Sequence, residues 1–117
     1  MKNPDCIFCK IVEGKIPSTK IFENSKVLAF QDLQPSAAVH YLVIHKNHSK
    51  DVNDLVAAES SQLIDIFSAI KEITEKEKLD QKGFRVLTNM GPHAGQTVFH
   101  THFHLLGGEP LRGFGSR

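Results

Sequence analysis

The stretch HTHFHLLGG, His100 to Gly108, places three of the chain's seven histidines at every second position. Successive side chains of a β-strand point to opposite faces, so this spacing sets His100, His102 and His104 on one face. Phe103 and Leu105 fall on the other, where a core can bury them. The segment therefore reads as a strand that packs apolar side chains behind three imidazoles gathered over one small volume. Gly107 and Gly108 close it.

The other elements arrange themselves around that strand. IFCKIVEG, Ile7 to Gly14, predicts a short helix stopped by Gly14, with Pro17 in the turn that follows. Two strands follow, Thr19 to Glu23 and Val27 to Gln31, joined through Asn24 and Ser25. QPSAA is a loop, and HYLVIHK, His40 to Lys46, is apolar enough for a central strand. Leu63, Ile66, Phe67, Ile70 and Ile73 recur at helical spacing and predict one long helix with a single apolar stripe. Lys71 with Glu75 and Glu72 with Lys76, four apart, belong to its exposed faces. Phe84 to Asn89 is a further strand, MGPHAGQ a glycine-rich loop, and TVFHTHFHLLGG the histidine strand. This order predicts an α+β fold: a mostly antiparallel sheet packed with one long helix and a short N-terminal helix. A length of 117 residues suits one domain spanning residues 1–117.

Composition narrows the function classes. A net charge of +1 supplies no broad field for nucleic acid or for an anionic membrane, so any phosphate must be held by a local site. No apolar run approaches the roughly 20 residues of a membrane span, and MKNPDCIFCK has no signal-peptide hydrophobic region, so a cytoplasmic location is expected. The only cysteines, Cys6 and Cys9 in CIFC, are then poor candidates for a structural disulfide and read as a metal site or a redox pair.

Three chemistries compete for the histidines. They can be exposed residues with no task. They can hold a catalytic metal, since imidazoles are good zinc ligands. However, positions 100 and 104 lie ~13 Å apart at ~3.3 Å per residue, too far for one ion to take all three. Or the middle imidazole can act as a nucleophile, forming a labile phospho-imidazole that water resolves. In that case His104 is placed to donate to a phosphate oxygen, and Gly95, Gln96 and Thr97 of the preceding loop offer backbone N–H groups for an anion nest.

HTHFHLL has the pattern of a histidine triad, His-x-His-x-His followed by two apolar residues. KIVEGKIPSTKIFENSKVLAFQDLQPSAAVHYLVIHKNH and GFRVLTNMGPHAGQTVFHTHFHLLGG resemble the two halves of the Hint branch of that family, the histidine triad nucleotide-binding proteins. The resemblance implies a hydrolase acting on purine nucleoside monophosphate derivatives such as nucleoside phosphoramidates and aminoacyl-adenylates, with no catalytic cofactor. It makes His102 the nucleophile that forms a nucleotidyl-histidine, His104 a phosphate contact, and the His100 carbonyl the group that holds the His102 ring. His40 and Thr97 match positions suited to protonating a leaving group. Asp32 matches a ribose-binding acid, with capping of the turn before Pro35 as its other reading. Ile7, Phe8, Phe30 and Leu33 match an apolar base slot, Asn89 and Val98 further nucleotide contacts, and Gln96 a donor to phosphate or leaving group. Cys6, Cys9, His48 and His100 correspond to a structural zinc site of bacterial members, and two thiolates with two imidazoles suit a tetrahedral ion. A homodimer is implied, in which the long helix and the strand from Phe84 meet their counterparts. A dinucleoside polyphosphate hydrolase and a nucleotide-binding regulatory module with slow turnover are the competing functions. His45 and His93 have no assigned task and are expected in solvent.

Overall fold

The computed structural model describes residues 3–113. Helix α1 spans Ile7–Val12, strand β1 Lys20–Glu23, β2 Val27–Gln31, β3 Val39–His45, helix α2 Val52–Glu59, α3 Ser61–Lys76, β4 Arg85–Leu87 and β5 His102–Gly107. Short 3-10 turns occupy Leu79–Gln81 and Pro92–Ala94. The five strands form one antiparallel sheet in the order β1-β2-β3-β5-β4. The expected α+β architecture is present.

Local chemistry accounts for the boundaries. The Cys6 thiol caps α1 by accepting from the Cys9 N–H, and Gly14, at φ +78°, lets the chain leave the helix. In the β1–β2 hairpin Asn24 accepts through Oδ1 from the N–H groups of Lys26 and Val27, each at 2.8 Å. Helix α2 is absent from the sequence reading. It is capped by Asp51, which accepts from the Asp54 N–H, but buries only Leu55, so no apolar period announces it.

The sheet separates two cores. Val27, Ala29, Tyr41, Val43, Phe103 and Leu105 face α2 and α3, where they meet Leu55, Ile66, Ala69, Ile70 and Ile73. Leu28, Phe30, Leu42 and Ile44 face the other way, against Phe8 and Ile11 of α1. The alternation of β5 therefore does what the sequence requires: Phe103 and Leu105 enter the larger core, and His102 and His104 face the α1 side.

Two strands are shorter than the sequence suggests. The histidine strand begins only at His102, because Thr101 turns its N–H to the Ser49 carbonyl at 2.8 Å and its hydroxyl lies 2.6 Å from that of Ser49. Thr101 is thus tied to the chain that follows β3 rather than paired in the sheet. The Phe84–Asn89 strand contracts to the three residues of β4, at the end of the sheet order. Phe67 belongs to the stripe of α3 by spacing but remains 45% exposed.

Candidate active site

A cavity of about 640 Å³ opens on the α1 face of the sheet, within the size range of small-molecule sites. Its lining combines apolar side chains, among them Ile7, Phe8, Ile11, Phe30 and Leu42, with the polar groups of Asp32, His40, His102 and His104. Register places the histidines. Ile44 pairs with His102, Leu42 with His104 and His40 with Leu106, so side chains two apart on β3 and β5 share one face. Asn89, Gly95, Thr97 and Val98 close the mouth, so the loop before β5 does reach the site.

His102 is held on two sides. Its Nδ1 lies 2.7 Å from the His100 carbonyl, to which it donates, leaving the lone pair on Nε2. Phe8 meets its ring edge-on, with centroids 5.2 Å apart. Burial lowers its pKa, opposed by the hydrogen bond to the His100 carbonyl, so the imidazole is neutral at neutral pH. Burial and the neighbouring His102 and His40 depress His104 to about 4. A neutral imidazole with a fixed tautomer and a lone pair beside a cavity has the electronic requirements of a nucleophile.

Asp32 holds a turn and borders the cavity at the same time. Oδ1 accepts from the Gln34 N–H at 2.8 Å and shapes the turn, while Oδ2 lies 3.3 Å from His40 Nε2 and the residue borders the cavity. Phe8 and Phe30 are buried and stack edge-to-face at 5.5 Å. Ile7 is half-exposed, and Leu33, at 92% exposure, offers its side chain at the rim rather than in a closed slot.

Other expectations need correction. Gln96 does not line the cavity. Its amide donates to the carbonyls of Lys50 and Val98 and accepts from the Gly91 N–H, so it braces the glycine-rich loop from within. The backbone N–H groups of Gly95 and Gln96 are likewise engaged, by the Pro92 and Gly91 carbonyls, which leaves Thr97 alone of the three proposed nest donors. His45 is buried, not solvated, and bridges to Asp65 of α3 at 2.9 Å; a partner twenty residues away gave no sequence signal. His93 is exposed as expected.

His100 does not face the cavity. It is fully buried on a separate cluster with Cys6, Cys9 and His48, whose ligand atoms all lie within 4.8 Å of one another. Its Nε2 sits 2.9 Å from the His45 carbonyl and donates to it, which leaves Nδ1 as a lone pair toward the cluster. Nδ1 of His100 lies 3.3 Å from Nδ1 of His48, 3.3 Å from the Cys6 sulfur and 3.5 Å from the Cys9 sulfur. The Cys9 sulfur is 3.5 Å from His48 Nδ1. A tetrahedron with metal–nitrogen bonds of about 2.0–2.1 Å and metal–sulfur bonds of about 2.3 Å has edges of about 3.3–3.4 Å between nitrogens and about 3.5–3.6 Å between nitrogen and sulfur. The four residues fit such an ion. Burial raises the Cys9 thiol pKa, and backbone N–H groups of Asn3 and Cys9 already point at the two sulfurs, ready to stabilise thiolates.

Comparison with known proteins bears on the whole chain. The profile of the family described as "Scavenger mRNA decapping enzyme C-term binding" matches residues 5–114. A histidine triad protein from Clostridium difficile superposes with a TM-score of 0.93 at 44% identity, covering 97% of this chain and 99% of that one. A HIT family hydrolase from Clostridium thermocellum gives 0.92 at 40% identity, over 98% and 100%. The purine nucleoside phosphoramidase of Escherichia coli K12 is 37% identical over 107 residues, 92% of this chain and 90% of the relative. With His102 and His104 on one strand face, His100 turned away beneath them, and this likeness from end to end, the chain belongs to the histidine triad (HIT) family.

Proposed function

We propose that this protein is a hydrolase of purine nucleoside monophosphate derivatives, phosphoramidates and aminoacyl-adenylates among them, working through a nucleotidyl-histidine on His102. The observation that carries the reading is the His102 ring, pinned by a 2.7 Å bond to the His100 carbonyl with its other nitrogen free to attack beside the cavity. The purine enters between Ile7, Phe8 and Phe30, the ribose hydroxyls bind Asp32 Oδ2, and the phosphate meets His104, Thr97, Asn89 and Val98. His102 Nε2 bonds to phosphorus as the bond to the leaving amine or carboxylate breaks. Water then attacks phosphorus, the phosphorus–nitrogen bond to His102 breaks, and the nucleoside monophosphate departs while the imidazole returns to its neutral form. An amine leaves with a proton relayed from solvent through the Thr97 hydroxyl, and the proton that water loses in the second step returns to solvent and balances it; a carboxylate leaves without one, and the second step then releases a net proton.

Cys6, Cys9, His48 and His100 would hold a structural zinc ion, which tethers α1 to the chain before β5 and supplies no chemistry to the reaction. A second copy of the chain covers the outer face of α3 and the open edge of β4. Ile64, Phe67 and Phe84 are exposed there, and an unpaired edge strand calls for a partner.

The deciding experiment compares turnover of an adenosine phosphoramidate with that of a diadenosine polyphosphate. Preferential hydrolysis of the first, with an acid-labile adenylate trapped on His102, supports the reading. Preference for the second identifies a dinucleoside polyphosphate hydrolase, and tight binding without turnover of either identifies a regulatory nucleotide-binding module.

A further inference from the structure

His40 belongs to the cavity, but its hydrogen bonds restrict what it can do there. The backbone N–H of Ser36 donates to His40 Nδ1 at 2.9 Å. An imidazole nitrogen that accepts a hydrogen bond carries no proton, so the proton of neutral His40 must reside on Nε2. That nitrogen lies 2.9 Å from His104 Nδ1 and 3.3 Å from Asp32 Oδ2. Donation from His40 to His104 makes His104 Nδ1 an acceptor in turn, and places the His104 proton on Nε2. The reverse direction would leave His40 with two lone pairs and no proton, an imidazolate.

We infer that the Ser36 amide, acting through His40, fixes His104 as an obligate Nε2–H donor, and that His40 is a positioning residue that cannot deliver a proton to the leaving group. The string ends in a peptide N–H, which is not an acid. If His104 gave up its Nε2 proton and drew another from His40, nothing behind His40 could replace it. The cavity therefore presents two unlike nitrogens side by side: a lone pair on His102 and an N–H on His104, whose rings lie 5.2 Å apart. A lone pair suits an electrophilic phosphorus and an N–H suits the oxygen that gains charge as phosphorus is attacked.

The surroundings support the lock. The loop that carries Ser36 is tied at both ends, by Asp32 N–H to the His40 carbonyl at 3.0 Å and by Ala38 N–H to Glu109 Oε2 at 2.6 Å. Burial lowers the pKa of His40 against the opposing pull of Asp32, and burial together with two neighbouring imidazoles lowers that of His104, so both stay neutral. The same lock bars a metal ion from Asp32, His40 and His104, although their ligand atoms cluster closely enough. One His40 nitrogen is protonated and the lone pair of the other is engaged.

The inference rests on the phosphoryl-transfer reading only for what His104 donates to; the tautomers can be read without substrate. In nitrogen-15 spectra of the wild-type protein at neutral pH, His40 and His104 should each show a pyridine-type Nδ1 and a pyrrole-type Nε2. His40→Leu should turn the His104 signals into a tautomeric mixture, loosen the ring and lower kcat roughly 10- to 100-fold, below the ~10²–10³ cost of deleting a transition-state donor outright. His40→Gln keeps an N–H near the Nε2 position with no titrating group, and should restore the His104 tautomer and most of the lost kcat without altering the acid limb of the pH profile. A protonated Nδ1 on either histidine of the wild type overturns the lock, even if neither variant folds. A Gln variant as inactive as the Leu variant, with a limb of the pH profile gone, makes His40 a proton carrier and overturns it as well. Spectra as expected on a protein that turns over no nucleotide support the lock and sink the hydrolase reading instead.

Discussion

Asp32→Asn separates the turn contact that the structure gives this side chain from the ribose contact proposed for it. The amide can keep its oxygen at the Oδ1 position, where the carboxylate accepts from the Gln34 N–H at 2.8 Å, so the turn is preserved. At the Oδ2 position an NH2 group replaces an acceptor, and a donor cannot receive the 2′- and 3′-hydroxyls of a ribose. The carboxylate is accessible enough to reach, with one-fifth of its side chain exposed. Losing one charged acceptor costs roughly 1.5–3 kcal/mol, or about 10- to 150-fold in affinity for adenosine monophosphate. The melting temperature should move little, since the turn persists. Asp32→Ala should lose both affinity and the turn, the latter at about 1 kcal/mol or less for an exposed side chain-to-backbone bond. Titration calorimetry with adenosine monophosphate and its 2′,3′-dideoxy analogue, on wild type and both variants, reads all of this. The dideoxy ligand should bind the Asn variant almost as well as wild type. Equal losses for the two ligands would refute the ribose assignment and reduce Asp32 to its turn.

His102→Ala should abolish turnover while leaving the fold and nucleotide binding largely intact; residual activity above a small fraction of wild type in a single-turnover assay would end the covalent mechanism. Purified protein should carry close to one zinc per chain by elemental analysis, and Cys6→Ser with Cys9→Ser should remove it and lower the melting temperature; metal-free protein that is folded yet chemically dead would make the metal catalytic. Because His104 titrates at about 4 when folded and at about 6.5 when unfolded, the unfolded chain binds more protons between those values. Stability is therefore fully present above about pH 6.5 and falls as pH drops through that window, which urea melts at pH 7.5 and 5 would register, a flat profile contradicting it. Sedimentation at micromolar concentration should give a dimer, and Phe67→Arg should split it; a wild-type monomer would leave the exposed face of α3 without its proposed partner.

What the sequence disclosed followed from short-range rules. Alternation in HFHLL fixed the two faces of β5, and turn chemistry at Asn24 and Gly14 fixed a hairpin and a helix end. What it concealed depended on contacts between distant residues. His100 continues the period of His102 and His104, yet it lies outside the strand because Thr101 bonds to Ser49. His45 is buried because Asp65 waits on α3, and Gln96 faces inward because Lys50 offers it a carbonyl. The clustering of Cys6 and Cys9 with His48 and His100 came only through resemblance, since their separations in sequence carry no period. Phe67 is the instructive case on the other side: its spacing in α3 is right and its ring meets Phe103 of the core edge-on at 5.4 Å, yet it stays 45% exposed.

The tie between Cys6 and His100 joins residues 94 positions apart, and so it links one wall of the cavity to the chain just before β5. Helix α1 has six residues, far short of the length at which a helix persists alone. Its amide hydrogens should exchange at a rate set by the cysteine–histidine cluster rather than by the sheet, as a separate unit of local opening. Phe8 rides on that unit and supplies the edge-on contact to His102. If the cluster lets go, only the packing of Phe8 and Ile11 against Leu28, Phe30, Leu42 and Ile44 is left to hold that wall of the cavity on the sheet.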